Sequence, residues 1–363
     1  MDKNQNENII LDGKFKNNLR IDYFDYLKIL CSFCVILIHV CAEYTSKYNI
    51  NSYKWKISYY YNGFSRFSVP NFFMISGALF LNRDLSFKKI VNKYIKRIYI
   101  HLLLWSIIYS LINIKLKKLN IKKKIFQIIK GHYHLWYLFS TMGLYIISPF
   151  FREIAKNKTL LESFLIIYFF FIFIIPNYIY LLSYYSKDTF NLLNYIYSNL
   201  TINNLSNKNF YFILGYYLYK KKEIKYEIKI IIYILGLMGL IFTTILSYNL
   251  AILKKKKINH FNSNYLNIFF TSISIFMFFK SNFDNNKINK EKKNIFQKIS
   301  KFTFGIYLIH PLIIENIINK LHFHYLRINI ILLIPMINTI IFLFSLIMVI
   351  ILNKIPIIGK YLI

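Results

Sequence analysis

Apolar segments about as long as a bilayer is thick recur along this chain almost from end to end. A membrane helix needs about 20 mostly apolar residues. Ten stretches meet or approach that length. They run approximately over 25–43, 64–82, 95–114, 134–152, 160–181, 208–220, 229–250, 264–280, 301–320 and 328–353. Short, polar, lysine-rich connections separate them and leave no room for a large soluble domain. The 363 residues would otherwise suffice for two or three soluble domains. The pattern therefore predicts an all-α fold, a polytopic membrane helix bundle of about ten transmembrane helices. The sixth stretch is short enough to be re-entrant, Pro311 interrupts the ninth, and the last is long enough to tilt or break.

The formal net charge of +32 would point to nucleic acid in a soluble protein. Here the lysines lie between apolar runs, where they anchor helix ends to lipid headgroups, so no nucleic-acid partner is expected. Lys and Arg are more abundant on the side that holds the N-terminus, which places that terminus in the cytoplasm. The lysine-rich 115–130 loop runs against this orientation. The first twenty residues are polar and lack a cleavable signal pattern, so the first apolar helix reads as an uncleaved signal-anchor. The expected location is a bacterial plasma membrane. Residues 1–19 form the cytoplasmic tail, 20–355 the membrane domain and 356–363 the C-terminal tail.

All three cysteines, Cys31, Cys34 and Cys41, lie in or at the end of the first apolar segment. A CxxC spacing is compatible with metal or redox chemistry. Inside a membrane helix, small polarizable packing residues are the reading adopted. No metal is expected.

Titratable groups at membrane depth are costly unless paired or solvated, so they locate candidate function. Lys28 and His39 are separated by eleven residues, about three helical turns, and project from one face about 16 Å apart. Asp25 lies within helical pairing reach of Lys28. An interfacial ion pair is the simpler reading of Asp25 and Lys28, and an interhelical hydrogen bond that of His39. Arg66, Asn71 and Ser76 enter the second apolar segment, where Gly77 permits close helix approach. Lys93 and Arg97 belong to a basic lead-in to the third, suited either to headgroups or to phosphates. His132, His134 and Trp136 open the fourth, and Tyr307 and His310 lie inside the ninth. Aromatics at such a boundary serve equally as an interfacial belt.

The order of these blocks resembles the acyltransferase-3 family of membrane acyltransferases. The blocks are an Asp–Leu–basic lead-in with His39 following, Phe72-Phe73-Met74-Ile75-Ser76-Gly77, the Lys96-Arg97-Ile98 segment, His134-Leu135-Trp136-Tyr137-Leu138, and Phe304-Gly305-Ile306-Tyr307-Leu308-Ile309-His310-Pro311. The resemblance covers nearly the whole chain. It implies ten core helices, a cytoplasmic N-terminus, acetyl-CoA or another acyl-CoA as donor, and a hydroxyl acceptor on a cell-surface saccharide or lipid-linked glycan. The family pairs Arg and His in the first helix. Here Lys28 takes the Arg position and keeps the charge without the bidentate fork. Arg97 matches a later basic position.

On this resemblance His39 is the candidate base, with Asp25 beside it in the candidate catalytic set. Lys28, Arg97 and Lys93 are the candidate donor-binding residues. Arg66, Ser76, His134, Trp136, Tyr307 and His310 are candidates for the acceptor or oxyanion pocket. A histidine suits base duty because its ordinary pKa lies near neutrality. The competing class is a transporter or flippase of a lipid-linked saccharide, although no internal repeat of the kind common in transporters is evident.

Overall fold

A computed structural model describes residues 20–112, 121–183, 185–200, 206–222, 224–253, 263–283, 290–320, 328–356 and 359. The N-terminal tail, the lysine run at 254–257 and most of the C-terminal tail lie outside the described residues. The described chain is helical throughout, with no strand among these residues.

In chain order the helices are α1 (Asp22–Lys47), α2 (Tyr53–Phe64), α3 (Ser68–Leu81), α4 (Phe87–Ile112), α5 (Ile121–Lys130), α6 (Trp136–Lys156) and α7 (Lys158–Leu182). They continue with α8 (Lys187–Asn199), α9 (Asn207–Lys220), α10 (Tyr226–Leu253), α11 (Leu266–Asn282), α12 (Lys290–Lys320) and α13 (Ile330–Lys354). Six spans are long and apolar enough to cross a membrane: α1, α2 with α3, α4, α7, α10 and α13. The protein is a multi-pass membrane protein. All ten expected segments overlap helices.

Local details differ from the sequence reading. The second segment is two helices rather than one: α2 ends at Phe64, and α3 begins at Ser68 with Arg66 in the break. The 115–130 region, read as a loop, carries the amphipathic helix α5, and α8 had no apolar signal to announce it. Helix α9 has 14 residues, or about 21 Å, shorter than the hydrocarbon layer. Pro311 does not end α12, which runs on to Lys320. Pro311 has no N–H for the Tyr307 carbonyl, and one residue later the Leu308 carbonyl takes the Tyr109 hydroxyl at 2.8 Å.

Helix α1 is the axle, packing on α2, α3, α11, α12 and α13. One apolar core surrounds its first half with α3, α6, α7, α9 and α11, and a second surrounds its C-terminal half with α4, α12 and α13. Its entry is anchored by polar contacts. Arg20 Nε and Nη2 donate to the two oxygens of Asp25 at 2.6 and 3.0 Å, and Ser300 Oγ donates to Asp25 Oδ1 at 2.6 Å. Gln297 Nε2 donates to Asp22 Oδ1 at 3.1 Å. The two carboxylates therefore tie α1 to α12.

Helices α3 and α9 touch backbone to backbone. A Cβ on Gly77 would stand 1.7 Å from the Phe212 carbonyl oxygen, and one on Gly215 would stand 2.0 Å from that of Met74. Small residues let membrane helices approach this closely, which agrees with the expectation for Gly77.

Candidate active site

The site is assembled by a turn that the sequence encodes in one glycine. Helix α5 ends at Gly131, whose φ of 73° is the left-handed cap conformation. Its N–H donates to Gln127 O at 3.0 Å. The chain then reverses through a short 3-10 turn, Tyr133–Leu135, and enters α6. That turn delivers His132, Tyr133 and His134 to the C-terminal half of α1 and to α12.

Four imidazoles meet there. The ring centroids of His39 and His310 are 5.2 Å apart, and those of His134 and His310 are 5.6 Å apart. His132 Nδ1 and His134 Nδ1 lie 2.9 Å apart, and His132 stacks on Tyr109 at 4.1 Å between centroids. Tyr133 and His39 are 5.2 Å apart. The Tyr307 hydroxyl donates to the His134 carbonyl and so holds the turn against α12. His134 and His310 are buried, whereas His39 is half-buried.

Arg66, in the break between α2 and α3, donates from Nε to Asn62 Oδ1 at 2.7 Å and lies near enough to His39 to act on it electrostatically. Trp136 is exposed at the rim, with the Lys208 ammonium 5.0 Å from its ring. Lys208 also donates to Ser140 Oγ at 2.8 Å. Ser76 lies apart from the imidazoles, against Tyr137 and Tyr145. Tyr137 in turn touches Tyr307, with centroids 5.6 Å apart. Arg66, His134, Tyr307 and His310 thus come together with His39, Trp136 stands at the edge, and Ser76 connects through Tyr137.

At the other end of α1, Lys28 is half-buried and lies within electrostatic reach of Asp25, Arg20 and Arg83. Arg83 Nη1 donates to the Tyr94 hydroxyl at 3.3 Å, and the Lys93 ammonium sits 6.0 Å from the Tyr94 ring. Arg152, which is largely buried, donates to Leu85 O at 2.9 Å and approaches Asp84 at 3.7 Å. Arg97 is exposed on α4. Asp25 is engaged by Arg20 and Ser300, fourteen helical residues or about 21 Å from His39. It does not orient the His39 ring.

Several members of these clusters were not among the sequence candidates. His132 stands beside His134 in the sequence, where nothing local assigns it a role. Glu315, which meets His132 Nε2 at 3.1 Å, follows an apolar run whose pattern gives no sign of a site. Arg83 and Arg152 lie in short basic stretches whose sequence does not set them apart from the other cations. A glycine directly before the His-Tyr-His triplet was the one local signal that could have singled out the turn.

Cys31, Cys34 and Cys41 are buried in the helix packing. Among the described residues, no group of three or more His, Cys, Asp or Glu side chains is arranged to hold a metal ion.

The sequence model of a family described as an acyltransferase domain matches residues 21–354, nearly the whole chain. No curated protein and no solved structure matches it.

Proposed function

Because the chain belongs to the acyltransferase-3 family of membrane acyltransferases, we propose that it moves an acetyl or other short acyl group from an acyl-CoA to a hydroxyl of a cell-surface saccharide or lipid-linked glycan. The observation that carries this reading is the imidazole cluster of His39, His134 and His310 around one half-buried ring. A sugar hydroxyl is a weak nucleophile at neutral pH and needs a positioned base. His39 is that base. Its ring is accessible enough to meet substrate, and its two imidazole neighbours are locked by packing.

The hydroxyl oxygen attacks the thioester carbonyl carbon as His39 takes its proton. The carbon–sulfur bond breaks and the thiolate leaves with the electron pair. Arg66 supplies positive charge for the oxyanion that develops on the carbonyl oxygen. His39 then returns the proton to the departing sulfur. Lys28, joined by Arg83 and Lys93, receives the donor's phosphates at the cytoplasmic end. Arg97 extends the same basic surface. Ser76, hydrogen-bonded to Tyr137 and Tyr145, lies between the two ends, so a donor that enters from the cytoplasm reaches past it to react at His39. Trp136 offers a face for sugar stacking at the rim.

The test is acetyl-CoA-dependent transfer by the purified full chain, with the surface glycan of a deletion strain as acceptor. Wild-type protein transfers acetyl groups, and His39→Ala, expressed and folded normally, loses nearly all turnover. Undiminished turnover in that variant refutes the role of His39. A wild-type protein that moves glycan across vesicles without cleaving thioester favours the transporter class.

A further inference from the structure

A cavity of about 320 Å³ opens between the C-terminal end of α7, helix α8 and the residues that lead into α11. None of the residues that line it belongs to the imidazole cluster. Its size suits a small ligand. Hydrogen bonds tie its walls together. Asn177 on α7 donates from Nδ2 to the carbonyls of Phe173 and Asn264, at 2.6 and 3.2 Å. The Tyr197 hydroxyl donates to the Phe171 carbonyl at 2.8 Å and pins α8 against α7. The Tyr211 hydroxyl donates to the Ser263 carbonyl at 2.9 Å and fixes the lead-in to α11.

The lining has the chemistry that recognises a sugar. Tyr180 and Tyr265 are half-buried, with ring centroids 6.5 Å apart. Asn177, Asn194 and Asn264 add neutral amides, which both donate and accept. A sugar ring has an apolar C–H face to lay on tyrosine and hydroxyls to exchange bonds with amides. Among the described residues no lining side chain is charged. Phosphates and anionic headgroups are met by Lys and Arg, so the lining argues against both.

The cavity lies at the same end of the bundle as the imidazoles. Ser263, beside Asn264, accepts from Asn207 Nδ2 at the start of α9. The next residue, Lys208, holds its ammonium 5.0 Å from the Trp136 ring and donates to Ser140 Oγ. Trp136 follows His134 by two residues. A run of touching residues therefore leads from the cavity, over the first turn of α9, to the rim of the candidate active site.

We propose that this cavity is a second saccharide subsite, which holds one sugar unit of the acceptor while another unit of the same chain reacts at His39. The inference rests on the acyl-transfer reading and narrows it: the acceptor is an oligomeric or polymeric glycan that passes Trp136, not a single sugar. Holding a linked unit raises the local concentration of the reacting one, so longer acceptors bind more tightly than short ones.

The probe is deletion-strain glycan, cut by mild acid into fragments that are separated by size. Binding is read by calorimetry on the purified full chain in detergent, without acetyl-CoA. Wild-type protein is expected to bind long fragments at least about tenfold more tightly than short ones. Asn194→Trp fills the cavity and abolishes this preference, and Asn194→Ala removes one amide and reduces it. Asn194 is exposed on α8, so neither change disturbs the core. Equal affinity of wild-type protein for all lengths, or an undiminished preference in Asn194→Trp, overturns the proposal. Native mass spectrometry of the same proteins covers the other occupant. A phospholipid held by wild-type protein and lost from Asn194→Trp, with glycan affinity unchanged, assigns the cavity to lipid and overturns the proposal.

In the transfer assay, Asn194→Trp raises the KM for long fragments about tenfold, the effect of losing one such set of contacts, and leaves the acetyl-CoA KM unchanged. Equal changes in both KM values overturn the proposal. If wild-type protein shows the length preference and Asn194→Trp loses it, yet no acyl group is transferred, the acyl-transfer reading falls and the saccharide subsite stands.

Discussion

His39 on α1 and His310 on α12 face each other with ring centroids 5.2 Å apart, although 271 positions separate them in the chain. Each depends on the other's placement. His39→Ala is expected to lower kcat by on the order of 10²–10⁴-fold, the usual range for a lost acid–base group. His310→Ala lowers kcat/KM for the acceptor. Residues that act on one bound group combine non-additively, so the double variant is expected to be little worse than His39→Ala alone. Steady-state kinetics of the three proteins decide this, and a double variant that shows the full product of the single losses argues against a shared site.

Lys28 lies near Arg83 at the N-terminal end of α1, where we propose that it meets the donor's phosphates. Lys28→Arg restores a bidentate fork and is expected to keep or lower the donor KM. Lys28→Met removes a charged hydrogen-bond donor and is expected to raise that KM roughly 10–100-fold. The acceptor KM stays the same in both. An acceptor KM that moves with the donor KM would place Lys28 in a structural role.

Asp25 receives Arg20 and Ser300 and is itself buried. Asp25→Ala is therefore expected to act on stability, by about 1–3 kcal/mol for the unpaired groups it leaves. Thermal unfolding in detergent should fall, while kcat per folded molecule stays well above that of His39→Ala. Unchanged unfolding with kcat as low as that of His39→Ala would return Asp25 to the chemistry.

Gly77→Ala pushes a methyl group into the Phe212 carbonyl oxygen, 1.7 Å from the new atom. Helices α3 and α9 must separate. Overpacking of this kind costs about 1–3 kcal/mol, and here backbone rather than a flexible side chain must yield. The expected readout is a lower unfolding temperature or loss of folded protein on expression. A variant with wild-type stability would mean that the two helices do not meet at these glycines.

Much of the architecture was legible because the bilayer imposes a length and a composition on each helix. The ten apolar stretches, the close approach at Gly77 and the clustering of polar groups at both ends of the first helix follow from that one constraint. The break around Arg66 was not legible, since residues 53–64 alternate polar and aromatic side chains and resemble an interfacial loop. Helix α8 escaped for the same reason.

The sequence by itself determined that this is a helical membrane protein and that His39 and Lys28 share a face of its first helix. Hydropathy and the 3.6-residue period suffice for those conclusions, because both are local. Only the tertiary structure decided the partners. Asp25 went to Arg20 and Ser300 rather than to Lys28, because α12 packs against the entry of α1. His132 acquired Glu315, because the left-handed turn at Gly131 folds the loop onto α12. The groups that surround His39 are set by which helices touch, and that information lies in packing between segments hundreds of residues apart.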